Sequence, residues 1–292
     1  MEDILGTSHI YCLCLKGSER EEPTKKSIIN AGFSSLKMLY GIKGKDLTIK
    51  QLEQYTTPRA FRTTFYKRTR VGHEDLQSLG AIGCALGHIY FWELVVKNEW
   101  KRAIFFEDDI VFTQDFQRYI KGTFNELERI DPDWEMFNFG YVNLNDNFQK
   151  TVANSNYLYK GSRIFVGAGA YMITLKGAKK LLKDALPLDV HIDAYMGLLA
   201  DKSRSDPLRL YFSKQSLAYQ ELAMPSQIQQ GLFDENLKIL FPNDIFSQII
   251  CLSCGLVILY LIYKWGKRCE RNKIEKNSKR NQNNKLKKNN KS

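Results

Sequence analysis

Short apolar runs closed by polar turns alternate, along the first two thirds of the chain, with segments whose apolar positions recur at helical spacing. The run His9 to Leu15 predicts a strand ending in the polar loop Lys16 to Arg20,. Glu21 to Ala31 carries Pro23 near its start and Gly32 at its end, the punctuation of a helix,. Leu36 to Gly41 predicts a second strand, and strand, helix, strand begins an α/β sheet of parallel order,. Residues 43 to 79 are polar. Leu47 to Tyr55 predicts a short helix, Pro58 a break, and Arg59, Arg62, Lys67, Arg68 and Arg70, interleaved with Phe61, Phe65 and Tyr66, a loop of solvated charges or a grip on an anion,. Gly80 to Asn98 predicts the clearest helix: Ile82, Leu86, Ile89 and Val96 form one stripe, Cys84, His88, Trp92 and Val95 the next, so both faces should be buried,. Its glycines at 80, 83 and 87 weaken a helix, which points to close backbone packing or a ligand near the helix start,. Pro207 to Phe212 predicts a last strand.

Ala103-Ile-Phe-Phe-Glu-Asp-Asp-Ile-Val111 organises the rest. Its apolar half predicts a buried strand that delivers Glu107, Asp108 and Asp109 to its carboxyl end,. Three adjacent acids repel one another, and a hard divalent cation, Mn²⁺ or Mg²⁺, relieves that repulsion while leaving positions open for phosphate oxygens. The pattern predicts a metal and nucleotide-diphosphate site.

Charge narrows the partners. Of the net +11 over 292 residues, all but one unit lies after Tyr263, where twelve basic residues face two glutamates. The preceding part is nearly neutral, so its composition gives no support for nucleic-acid binding. Ile245 to Tyr263 is nineteen residues without a charge, followed by Lys264, Lys267 and Arg268, the length and flank of a transmembrane helix,. The expected organisation is therefore a domain over 1–224, a linker over 225–244, a single membrane anchor over 245–263 and a basic disordered tail over 264–292. The amino-terminal residues lack the pattern of a cleavable signal peptide, which favours a cytosolic domain, whereas the positive-inside rule places the basic tail in the cytosol. These two rules leave the orientation open. The six cysteines, at 12, 14, 84, 251, 254 and 269, predict neither a disulfide framework nor a zinc site,.

Gly80-Ala-Ile-Gly-Cys-Ala-Leu-Gly-His88, then Trp92, then Ile104-Phe-Phe-Glu-Asp-Asp109 resembles the central signature of glycosyltransferase family 25. Asp133 to Gly140 resembles that family's next strand, Gly167 to Leu182 its later strand-to-helix segment, Leu186 to Asp193 the stretch that brings in another acid, and Ser216 to Glu221 its closing segment. Ala81 and Gly87 stand where the family usually has an acid and a hydroxyl, and Cys14-Leu-Lys-Gly17 replaces its first-strand motif.

The resemblance implies a GT-A type α/β fold with a mostly parallel central sheet, and an inverting, metal-assisted transfer of galactose or glucose from a UDP-sugar. The acceptor would be a hydroxyl on a glycan, a lipid-linked sugar or a hydroxylysine-containing protein. The implied donor-side residues are Glu107, Asp108, Asp109, His88 and Lys16. Asp109 and Glu107 would be the metal ligands, with Glu107 or Asp108 alternatively contacting metal-bound water or ribose. A lone histidine like His88 is more often hydrogen-bonded in a core than a ligand. Lys16 and Arg20 could meet the nucleotide or remain solvated. An inverting displacement needs a base opposite the leaving group; Asp193 is the first candidate and Asp189 the second, each also placed to cap a helix starting near Ala194. Gly167 and Gly169 allow close backbone approach to a ligand or mark a β-bulge. Two rival readings are a catalytically degenerate relative that only binds sugar nucleotide or glycan, and a membrane-anchored protein that recruits anionic partners through its tail.

Overall fold

Burial on both faces is what a continuous apolar run requires, and all five residues of strand β1 (Ile10–Cys14) are buried. Helix α1 (Glu2–Leu5) precedes it. Helix α2 (Glu21–Asn30) follows and stops where Gly32 takes φ 97°; there the N–H groups of Gly32 and Phe33 turn back to the carbonyls of Ile29 and Ile28,. Strand β2 (Leu36–Tyr40) then pairs parallel with β1. In this computed structural model residues 1–66, 75–140, 143–144, 150–161 and 165–221 are described, all within the first of two units, Met1–Leu237. The expected linker, membrane anchor and tail, along with Lys67, Arg68 and Arg70, lie outside the described residues.

The polar stretch after β2 is more ordered than its composition suggests. Helix α3 (Ile49–Tyr55) opens with a capping box between Thr48 and Gln51,. Helix α4 (Pro58–Tyr66) corrects the expected break and loop: proline at a first helical position loses no intrahelical hydrogen bond and presets φ. Helix α5 (Leu79–Lys97) follows, its first turn capped by the Ser78 hydroxyl, which accepts the Ala81 N–H. The remaining elements are β3 (Arg102–Glu107), β4 (Ile110–Phe112), α6 (Phe116–Ile130), β5 (Met136–Asn138), β6 (Asn143–Leu144), β7 (Lys150–Thr151), β8 (Leu158–Lys160), β9 (Phe165–Val166), β10 (Ala170–Thr174), α7 (Leu175–Leu182), α8 (Ile192–Leu199), β11 (Leu210–Ser213) and β12 (Ala218–Gln220). β11 is the strand expected near residue 210, but β12 comes after it.

Eight strands form one sheet in the order β2-β1-β3-β10-β5-β11-β8-β7. Pairing is parallel across β2-β1-β3 and between β5 and β11, and antiparallel elsewhere. The fold is thus α/β with a mixed sheet. β12 pairs with β4 and β6 with β9 in two small ribbons.

Side chains alternate between the faces along each strand. Ile10, Cys12, Ile104 and Phe106 enter a core completed by Leu5 of α1, Ile28 of α2 and Phe116, Ile120, Phe124 and Leu127 of α6. Tyr11 and Phe105 point the other way, onto Phe91 of α5. Among the described residues α5 alone is long and apolar enough to cross a membrane, yet two thirds of its most apolar window is buried in the protein, so it serves as a core helix. Its glycines answer to packing: a Cβ on Gly83 would lie 2.4 Å from the Ile42 carbonyl oxygen, and one on Gly87 2.6 Å from Leu13. Gly83→Ala gains up to about 1 kcal/mol of helix propensity, but its methyl meets backbone that has no room to shift. Overpacking costs of about 1–3 kcal/mol are therefore expected to win, lowering the thermal midpoint by several degrees. A midpoint equal to or above the parent's in a thermal melt would show that the helix does not rest on that backbone.

β1 sits at a topological switch. From β1 the chain runs through α2 to β2 on one side, whereas β3 flanks β1 on the other. Open α/β sheets bind ligands in the crevice beyond the carboxyl ends of such strands, and Leu13 of β1 stands in register with Glu107 of β3 at that edge.

Candidate functional site

Strand alternation gives the three acids different neighbours. Glu107 points to the same face as Phe105 and is buried under α5. Its Oε1 lies 3.0 Å from His88 Nε2 and 3.5 Å from Cys84 Sγ, and its Oε2 accepts the Gln220 amide at 3.0 Å. The last contact spans 113 positions of sequence. The Cys84 thiol, pushed far above its ordinary range by burial and then by Glu107, is the S–H donor in its pair. Cys84, His88 and Glu107 bring a sulfur, a nitrogen and an oxygen within 4.8 Å, and the hydrogen bonds among them account for that closeness.

Asp108 faces Arg20, which is buried at the start of α2 and approaches Asp108 at 3.3 Å and Asp109 at 3.7 Å. The Thr24 hydroxyl donates to the Asp108 carbonyl, tying this turn to α2. Burial raises the Asp108 carboxyl despite Arg20. Burial and the adjacent Asp108 also push the Cys14 thiol up to about 12.

Asp109 is the acid left least satisfied. Its Oδ1 is buried without a hydrogen-bond partner. Burial first, then the charges of Glu107 and Asp108, push its carboxyl up to about 7. The adjoining backbone is fixed, since Glu221 N–H donates to the Asp109 carbonyl at 2.8 Å.

Two glycines bring the loop before β10 against these acids. The Gly169 carbonyl accepts the Glu107 N–H at 2.7 Å; a Cβ on Gly169 would stand 2.8 Å from Ile110 Cδ1, 3.3 Å from the Gln220 amide and 3.4 Å from Glu107 Oε2. Gly167 has φ 101°, which excludes most side chains, and its N–H donates to Asp193 Oδ2 at 3.2 Å. Asp193 also accepts the Ala194 N–H at 2.8 Å, in the first turn of α8. The structure thus joins Asp193 to the acidic edge through the glycine loop. Its charge is felt at Cys84 together with those of Glu107 and Asp109.

Asp189, four residues earlier, has different company. Both of its oxygens take the Arg59 guanidinium, at 2.8–3.1 Å, and it accepts the Thr57 hydroxyl at the start of α4. The Arg59 hydrogen bond is the main cause holding its carboxyl below the ordinary range, so Asp189 serves α4 as an ion-pair anchor and is a poor proton acceptor. Lys16 is exposed in the turn after β1. His88 is wholly buried beneath Glu107. Gln220 and Arg20 carry more of the site than their sequence context suggested; the position of Arg20 just beyond the carboxyl end of β1 was the available signal.

The residues at Asp109 fit a divalent cation: an orphaned buried oxygen, two neighbouring carboxylates, and an oxygen donor set suited to a hard ion,. The sequence model of glycosyltransferase family 25, described as "LPS biosynthesis protein", matches residues 8–196. A glycosyltransferase 25 family member of Anopheles gambiae is 30% identical over 227 residues, 74% of this chain and 36% of the relative. Procollagen galactosyltransferase 2 of Mus musculus is 22% identical over 219 residues, 74% of this chain and 34% of that protein. An inactive glycosyltransferase 25 family member 3 of Mus musculus is 28% identical over 140 residues, 46% and 22% of the two chains. The chain spans about a third of the length of its longer-matching relatives.

Proposed function

The chain belongs to glycosyltransferase family 25, and from that premise we propose that it transfers a hexose, galactose or glucose, from a UDP-sugar to a hydroxyl acceptor with inversion, on a GT-A type fold. The buried, unpartnered Oδ1 of Asp109 at the carboxyl edge of β3 carries this reading. Asp109 would hold Mn²⁺ or Mg²⁺ directly, and Glu107 would complete the acidic side. A cation held there supplies Lewis-acid neutralisation of the diphosphate charge that develops as the glycosidic bond breaks.

The chain's own residues do the rest. Arg20, fixed against Asp108 and Asp109, adds positive charge where the loop after β1 meets the edge, and Lys16 extends from that same loop. Asp193 takes the proton of the acceptor hydroxyl as the new bond to the sugar forms. Gly167 and Gly169, without side chains, let donor and acceptor approach the acids. The similarity to a procollagen galactosyltransferase supports a protein hydroxyl, such as that of hydroxylysine, as an acceptor beside glycan and lipid-linked sugar. The apolar stretch 245–263 would anchor the domain to a membrane.

A degenerate, binding-only protein is the competing reading, since two relatives are named inactive or probable inactive. Ala81 and Gly87 weigh little toward it: Ala81 is buried and Gly87 abuts Leu13, so both fill packing positions. Incubating the full chain with UDP-, GDP- and CMP-sugars and Mn²⁺, with candidate hydroxyl acceptors, should release nucleotide from one UDP-sugar only. Tight UDP and Mn²⁺ binding without release in any combination would favour the binding protein.

A further inference from the structure

His88, Tyr171 and Trp92 are all completely buried, so each polar hydrogen among them needs an acceptor. Trp92 Nε1 can only donate, and it donates to the Tyr171 oxygen at 2.9 Å,. Tyr171 has a single hydroxyl hydrogen, and His88 Nδ1 lies 3.1 Å away. If Nδ1 carried a proton, the tyrosine hydrogen would lose that acceptor in the core and stay unpaired there. A bare Nε2 would also confront the Glu107 oxygen 3.0 Å away. Both conflicts vanish in one arrangement: Trp92 donates to Tyr171, Tyr171 donates to Nδ1, and Nε2–H donates to Glu107.

We propose that His88 is a positioning residue: the buried Trp92–Tyr171–His88 relay orients the imidazole so that its Nε2–H donates to Glu107 and fixes that carboxylate for the acidic edge. The role of this relay rests on the transferase reading above. Cys84 and Gln220 supply the other two donors to Glu107. The relay turns Oε1 into the fold and leaves Oε2 on the side of Gln220 and Gly169. His88 therefore acts through Glu107 and makes no contact with the sugar nucleotide.

The test uses the full chain labelled with ¹⁵N in its four histidine rings. In long-range ¹H–¹⁵N spectra the His88 ring, assigned by its disappearance in His88→Gln, should show a protonated Nε2 and a bare Nδ1. Tyr171→Phe, checked for folding by circular dichroism, should lose that fixed signature. A proton on Nδ1 in the parent protein overturns the relay. In parallel, His88→Leu should lower kcat for nucleotide release from UDP-galactose with Mn²⁺ by about 10–100-fold, with KM for the donor changed less than about threefold. His88→Gln, whose amide N–H can reach the same oxygen, should recover several-fold of the loss. Unchanged kcat in His88→Leu, or no recovery in His88→Gln, overturns the positioning role while parent activity upholds the transferase reading. No release by the parent with any donor or acceptor removes that reading and the role with it, whereas the spectra still decide the tautomer.

Discussion

Asp109→Asn is expected to lower nucleotide release by about 10²–10³-fold while raising the thermal stability of the metal-free protein. The two effects share one cause. Asparagine keeps the shape of the side chain but removes the charge that a cation would meet, so transfer fails. The same charge is unfavourable in the empty fold, because Asp109 is buried beside two other acids and its carboxyl is raised to about 7. An acid whose native value lies above its unfolded value binds its proton more tightly when folded. The native state therefore loses stability as pH rises from about 4 through about 7, and the loss is complete above that. At about pH 8 the variant should melt above the parent, and near pH 4 the two should converge. Mn²⁺ should narrow that gap at pH 8, since a ligand at a hundred times its Kd stabilises the native state by about 2.7 kcal/mol and only the parent binds it. Thermal melts at the two pH values, with and without Mn²⁺, check this. A variant that melts lower at high pH, or that releases nucleotide at the parent's rate, would assign the acids a purely structural role.

Asp193→Asn is expected to reduce transfer by about 10²–10⁴-fold, the usual contribution of a positioned general base, while leaving UDP binding within about threefold. The amide keeps one oxygen for the N–H groups of Gly167 and Ala194 but cannot take the acceptor's proton. Asp189→Asn separates the two acids: it weakens the Arg59 anchor of α4 and should lower the melting temperature with transfer retained. Isothermal titration with UDP and Mn²⁺, beside initial rates, distinguishes the outcomes. Full transfer by Asp193→Asn would move the base elsewhere.

The legible parts of this chain were those with one dominant physical signal. Ile104 to Phe106 could only be a covered strand, and α5 declared itself by its length and its glycines. The acids at 107–109 followed from the strand that carries them. What stayed hidden depended on distance or direction. An apolar run such as 170–174 does not say which way it will lie in a sheet, so the antiparallel insertion of β10 was not readable. Pro58 signals a break or a first turn with equal force, and only the packing of α4 decides. Asp189 and Asp193 look alike in sequence, but one meets Arg59 and the other Gly167. A lone His88 on an apolar stripe gave no sign of Tyr171, 83 positions away.

The clasp of β12 on β4 has a temporal consequence. A ribosome delivers the chain amino end first, and the contacts that finish the acidic edge come from Gln220 and Glu221, the last described residues. A nascent chain that has emerged only to residue 196, where the family match ends, already carries all three acids and Arg20. It still lacks β11, which joins β5 to β8, and the amide that holds Glu107. The edge is therefore completed by the last described strand rather than by the segment that bears its chemistry, and translation reaches that strand more than a hundred codons after the acids themselves.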